Sequence, residues 1–86
     1  MAVDIGILVV DDEPALCKTI AAILCNAGYR ATPCGDPDLA LTLLQDWSFA
    51  LLITDHSMPG MSGLKLIERA RLSSPSLKFI VLSGSL

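Results

Sequence analysis

No uninterrupted apolar stretch in this 86-residue chain approaches the roughly 18 residues that a membrane helix requires, although 52% of its residues are hydrophobic and its mean hydropathy is +0.60. No membrane span is expected. Basic runs are also missing: six Lys and Arg are scattered against nine Asp and Glu, for a net charge of -3. The electrostatic footprint of nucleic-acid binding is therefore absent, and no direct nucleic acid binding is expected. Asp4 stands before the first apolar run, where a secretory leader would carry basic residues, so a cytoplasmic address is expected.

Cysteine is scarce in a telling way. Cys17, Cys25 and Cys34 are odd in number and form no CxxC pair, which indicates neither a disulfide framework nor a zinc knuckle. They read as small buried hydrophobes; on one helix Cys17 and Cys25 would stand about 12 Å apart, at about 1.5 Å rise per residue. The single histidine, His56, has no second to share a metal with and reads as a solvent-facing loop residue. Aromatics are few, and Trp47, Tyr29 and Phe79 read as packing residues. The length fits one domain over residues 1–86 with a small core.

What is present is an alternation of strand-like and helix-like segments, the pattern of an α/β parallel sheet built from βαβ units. Strands are expected at 5–10, 29–34, 49–54 and 79–82, with the third the most apolar and central. Asp12 or Glu13 can cap a first helix that accepts Pro14 in its first turn and ends at Gly28. Its buried stripe is expected from Leu16, Ile20, Ile23, Leu24 and Ala27. Gly35-Asp36-Pro37 starts a second helix whose buried face is Ala40, Leu43, Leu44 and Trp47. Ser62 or Gly63 starts a third through Leu64, Ile67 and Ala70, which stops before Ser73-Ser74-Pro75.

Two of the apolar runs end in acid. Residues 5–10 lead into Asp11, Asp12 and Glu13, and residues 49–54 lead into Asp55, followed by Met58-Pro59-Gly60-Met61-Ser62-Gly63. Ligands bind where strands leave a parallel sheet. If the two strands are neighbours, the aspartates converge, and carboxylates about 4 Å apart repel by roughly 4 kcal/mol at an effective dielectric near 20. A divalent cation reverses that cost, and Mg2+ suits a site of one or two carboxylates, waters and phosphate oxygens. With the metal on Asp11 and Asp12, Asp55 can offer one oxygen to the ion and the other to a phosphorus atom, forming an aspartyl-phosphate. The spacing of Ser83 from Asp55 accommodates one helix and one strand, which would bring its hydroxyl to a phosphoryl oxygen. Pro59, Gly60 and Gly63 shape the loop after Asp55 for close backbone approach. The plainer alternative is an acidic triplet that only caps a helix.

Those residues together resemble the receiver domain of bacterial two-component response regulators over essentially the whole chain. Val10-Asp11-Asp12-Glu13 is similar to that family's acidic pair, Asp55 to its phosphorylated aspartate, Ser57 to the residue whose carbonyl ligates magnesium, and Ser83 to its switch hydroxyl. The resemblance implies a flavodoxin-like doubly wound fold, here (βα)3β with strand order 2-1-3-4. It also implies a histidine kinase or phosphotransfer protein as donor to Asp55, with self-catalysed acceptance and no turnover of an external substrate. Family members continue with a helix, a fifth strand bearing a lysine and an aromatic, and a last helix. The 86 residues contain none of these, and Lys18, Lys65 and Lys78 fall in other segments. Two expectations follow for a receiver of this length: phosphorylation of Asp55 is slow, short-lived or absent, and the apolar edge at 79–82 associates, in a homodimer or by exchange of elements. The alternative function is a phosphorylation-deficient interaction or dimerisation module. A phosphatase with an aspartate nucleophile is disfavoured, because Ser57 stands where such enzymes usually carry a second Asp.

Overall fold

A computed structural model describes residues 5–46 and 48–82. Strand and helix alternate as β1 (Gly6–Val10), α1 (Pro14–Asn26), β2 (Arg30–Cys34), α2 (Pro37–Asp46), β3 (Leu51–Asp55), α3 (Gly63–Ser73) and β4 (Lys78–Leu82). All pairings are parallel, in the order β2-β1-β3-β4. This is the expected doubly wound α/β order, with β1 and β3 central. All five β1 residues are buried because the strand is covered on both faces. Leu8 and Val10 join the core under α2 and α3, while Ile7 and Val9 join the smaller core under α1. Leu8, Leu52 and Leu66 are fully enclosed, each contributing about 1.5–3 kcal/mol.

The helix ends follow from local chemistry. At α2 the Asp36 carboxylate accepts from Asp38 N at 3.1 Å and Pro37 occupies the first turn. At α3 the Ser62 hydroxyl accepts from Lys65 N at 3.2 Å. At α1 neither expected cap acts through its side chain. Glu13 is the cap residue but makes no side-chain cap bond; instead the Asp11 carboxylate accepts from Glu13 N at 2.9 Å.

The helix faces depart from the expected stripes in α1 and at one position of α3, where Ile67 and Ala70 are buried as expected. In α1 the sheet-facing residues are Cys17 and Ala21, with Ile20 and Leu24 half-buried beside them, whereas Leu16 is 43% and Ile23 62% exposed. Small side chains let the helix lie close to β1 and β2, which turns the larger ones outward. In α3, Leu66 is enclosed in place of Leu64, which is 59% exposed. Of α2, Ala40 and Leu44 are buried as expected and Leu43 is half-buried; Trp47 lies outside the described residues. Tyr29 and Phe79 are exposed and not core residues, Phe79 lying under the Arg71 guanidinium at 5.6 Å. Cys17 and Cys34 are buried, but Cys25 is exposed.

The two sheet edges differ. Arg30 N donates to Ile5 O across β1 and β2, so by alternation the position of Pro33 faces the outer edge, where a missing N–H costs nothing and blocks further pairing. The outer edge of β4 carries no such device among the described residues, and Phe79 and Ile80 are both exposed there.

Candidate metal centre

Val10 pairs with Thr54 across the central strands, so Asp11 and Asp55 emerge side by side where the chain leaves the sheet. Parallel neighbours run about 4.8 Å apart. Asp12, next along the turn, completes a cluster in which one carboxylate oxygen from each of Asp11, Asp12 and Asp55 lies within 4.8 Å of the others. Asp11 is buried, Asp55 half-buried and Asp12 exposed. The structure thus brings together the three expected carboxylates.

Two of them are fixed by backbone. Glu13 N holds Asp11 Oδ1 at 2.9 Å and His56 N holds Asp55 Oδ1 at 2.8 Å. A carboxylate has about four lone-pair sites, so each keeps acceptor capacity for a ligand. Three converging oxygens of hard character, one of them buried, fit a small divalent cation such as Mg2+. Burial chiefly holds the Asp11 carboxyl above the usual carboxylate range; the Glu13 amide offsets part of this, and the charges of Asp55 and Asp12 add to it. An acid whose folded-state pKa is raised binds more protons folded than unfolded, so folding stability rises as pH falls. Without divalent ions, the urea midpoint is expected to climb as pH is lowered from neutrality toward 3.8, the ordinary value for this group. Asp11→Asn is expected to flatten that slope.

The loop after β3 is pinned by burial of Met58 and Met61 in the core under α2 and α3. Gly60 turns it with φ +83. Gly63 opens α3 against the end of β3: its N–H donates to His56 O at 2.9 Å, and a Cβ there would run into the Asp55 carbonyl oxygen. Thr54, fully buried, donates through Oγ1 to that same oxygen at 3.1 Å. Ser57 is exposed on this loop, as is His56. Ser83 lies outside the described residues; the chain before it ends with Leu82, the register partner of Asp55. Two features were not evident from sequence alone: the anchoring role of Met58 and Met61, signalled by two methionines spaced three apart around Pro-Gly, and the support from Thr54, a polar residue closing an apolar strand.

A family model described as the response regulator receiver domain matches residues 7–86. The chain belongs to the response regulator receiver family. Among curated proteins, the regulatory protein VanRB of Enterococcus faecalis is 36% identical over 81 residues, which cover 92% of this receiver and 37% of VanRB. A receiver protein from Pseudomonas putida superposes with a TM-score of 0.89 at 32% identity, covering 100% of this chain and 73% of that one. TrrA of Thermotoga maritima, solved in complex with Mg(2+)-BeF, superposes at 0.87 with 32% identity, covering 94% and 70% respectively. The chain spans 21% to 37% of the length of three curated relatives it matches, VanRB among them. Among the described residues no helix is long and apolar enough to cross a membrane.

Proposed function

We propose that this receiver accepts a phosphoryl group on Asp55 from the phosphohistidine of a cytoplasmic histidine kinase or phosphotransfer protein. Mg2+ would be held by Asp11, Asp12 and Asp55 and by the backbone carbonyl of Ser57. The observation that carries this is the meeting of three carboxylates at the ends of β1 and β3. The ion, when bound, supplies positive charge against the carboxylates and the phosphoryl oxygens. An Asp55 oxygen forms the new O–P bond as the P–N bond to histidine breaks, and the imidazole leaves with the electron pair. The His56 amide keeps Asp55 Oδ1 in place meanwhile, and the Ser83 hydroxyl would bond a phosphoryl oxygen. The module takes one group and turns over no external substrate, and it contacts no nucleic acid.

Two of the described lysines are committed elsewhere. Lys65 is paired with Glu68 at 3.7 Å, and Lys78 begins β4 at the far end of the sheet from Asp55. Labelling of the 86-residue chain by acetyl phosphate and Mg2+, followed by intact mass, is therefore expected to be slow and confined to Asp55. Equal labelling of Asp55→Asn, or none with or without the ion at any time, would refute acceptance at this residue.

A second function, self-association, is favoured by the outer edge of β4, which pairs with no strand among the described residues and has Phe79 42% and Ile80 48% exposed. Light scattering at micromolar concentration is expected to give the mass of two chains, with Ile80→Lys returning the mass of one. A single-chain mass for the parent would sink it.

A further inference from the structure

We propose that Cys17 is a positioning residue for the carboxylate cluster: its thiol ties β1 to β2 directly behind Asp11 and so sets where Asp11 and Asp12 stand relative to Asp55. This rests on the metal site proposed above. Cys17 is 2% exposed on the sheet-facing side of α1. Its Sγ donates to Val9 O at 3.2 Å and lies 3.6 Å from Cys34 O. The Cys34 carbonyl also accepts the Asp11 amide at 3.2 Å. The carbonyl at the end of β2 thus accepts the backbone N–H of the metal-site residue with the thiol sulfur beside it.

The bonds form a closed circuit. Asp11 Oδ1 holds Glu13 N at 2.9 Å, Glu13 O holds Cys17 N at 3.0 Å, and the Cys17 thiol returns to the strand two residues before Asp11. The acidic turn is therefore tied at both ends and through the first turn of α1. A cavity of about 120 Å³, lined by Pro14, Cys17, Lys18, Pro33, Cys34 and Gly35, lies beside the thiol. With space there, a side chain of similar volume and no donor leaves the turn free to shift. A thiol is a weak donor, but it is spent here on a segment carrying two of three converging charges, whose mutual repulsion pushes the turn outward.

Cys17→Ser keeps a donor; Cys17→Val removes it while adding about one methyl group, and Cys17→Ala removes it without adding any. Two readouts are needed on folded, metal-free protein: Mg2+ affinity by calorimetry, and amide hydrogen exchange at Asp11, Asp12 and Glu13 in EDTA. Cys17→Val is expected to weaken Mg2+ roughly ten-fold, the low end of losses when a ligand-orienting partner is removed, and Cys17→Ser by no more than about two-fold. Exchange at the three amides is expected to quicken in Cys17→Val alone, with amides of β3 unchanged. Should Cys17→Val not fold, Cys17→Ala supplies the same comparison. If the parent binds Mg2+ and all variants match it in both readouts, the inference is overturned. If the parent binds no Mg2+ while Cys17→Val still quickens exchange, the metal site fails and the bracing by Cys17 stands.

Discussion

Gly63→Ala is expected to be the most damaging small substitution in this receiver. A methyl group at this position meets the Asp55 carbonyl oxygen, and also the Thr54 Cγ2 at 3.2 Å. The obstacle is backbone, so it cannot swing aside, and either α3 or the end of β3 has to move. Overpacking of this kind costs typically 1–3 kcal/mol and occasionally more. The gain from replacing glycine by alanine near a helix start is about 1 kcal/mol at most, so the collision wins. In a domain of this size that is a large part of the total stability. Gly60→Ala provides the contrast: φ is +83 but no atom lies within 4 Å of a Cβ, so the loss is only the roughly 1–2 kcal/mol of an unfavourable backbone region. Urea melts should therefore rank parent, Gly60→Ala and Gly63→Ala in falling order. Gly63→Ala should also lose Mg2+ binding at temperatures where it remains folded, because Asp55 is displaced. A Gly63→Ala midpoint at or above that of Gly60→Ala would contradict the contact.

Asp11→Asn is expected to separate function from stability. Asparagine retains an oxygen to accept from Glu13 N, the bond now made at 2.9 Å, so the start of α1 keeps its support. What disappears is one of three clustered charges, and the buried one. Mg2+ affinity should fall about 100-fold, at or beyond the upper range seen for lost ligand-orienting partners. The metal-free fold should be as stable as the parent or more so, since repulsion from Asp12 and Asp55 and the burial of charge are both relieved. Asp11→Ala loses the support as well, with a cost of about 1 kcal/mol. Calorimetry with paired urea melts in EDTA reads both quantities. Undiminished Mg2+ uptake by Asp11→Asn would remove Asp11 from the site.

The strands and their acidic ends were legible because a run such as residues 5–10 has few other uses: five of its residues are buried on both faces, and the chain must turn polar where it leaves the sheet. The caps at Asp36 and Ser62 were legible for the same local reason. The orientation of α1 was not. Apolar residues occur almost all round that helix, so the stripe through Leu16 and Ile23 and the stripe through Cys17 and Ala21 both have helical spacing. The choice is made by how closely α1 approaches the strands, a tertiary quantity. That rotation does not account for Cys25, which is exposed in the last turn of α1 with its thiol 3.6 Å from Ala31 O. At the site, Asp11, Asp12 and Asp55 could be named, but the requirement for glycine at 63 arises only when α3 docks against the Asp55 carbonyl.

Pro33 has a consequence for how far any assembly grows. With a proline sealing one flank of the sheet, copies joining through their unsealed flanks would present only sealed ones outward. At that flank Pro33 withholds one of the N–H groups a further strand would pair with, so the ring in the backbone of β2 works against growth beyond two copies.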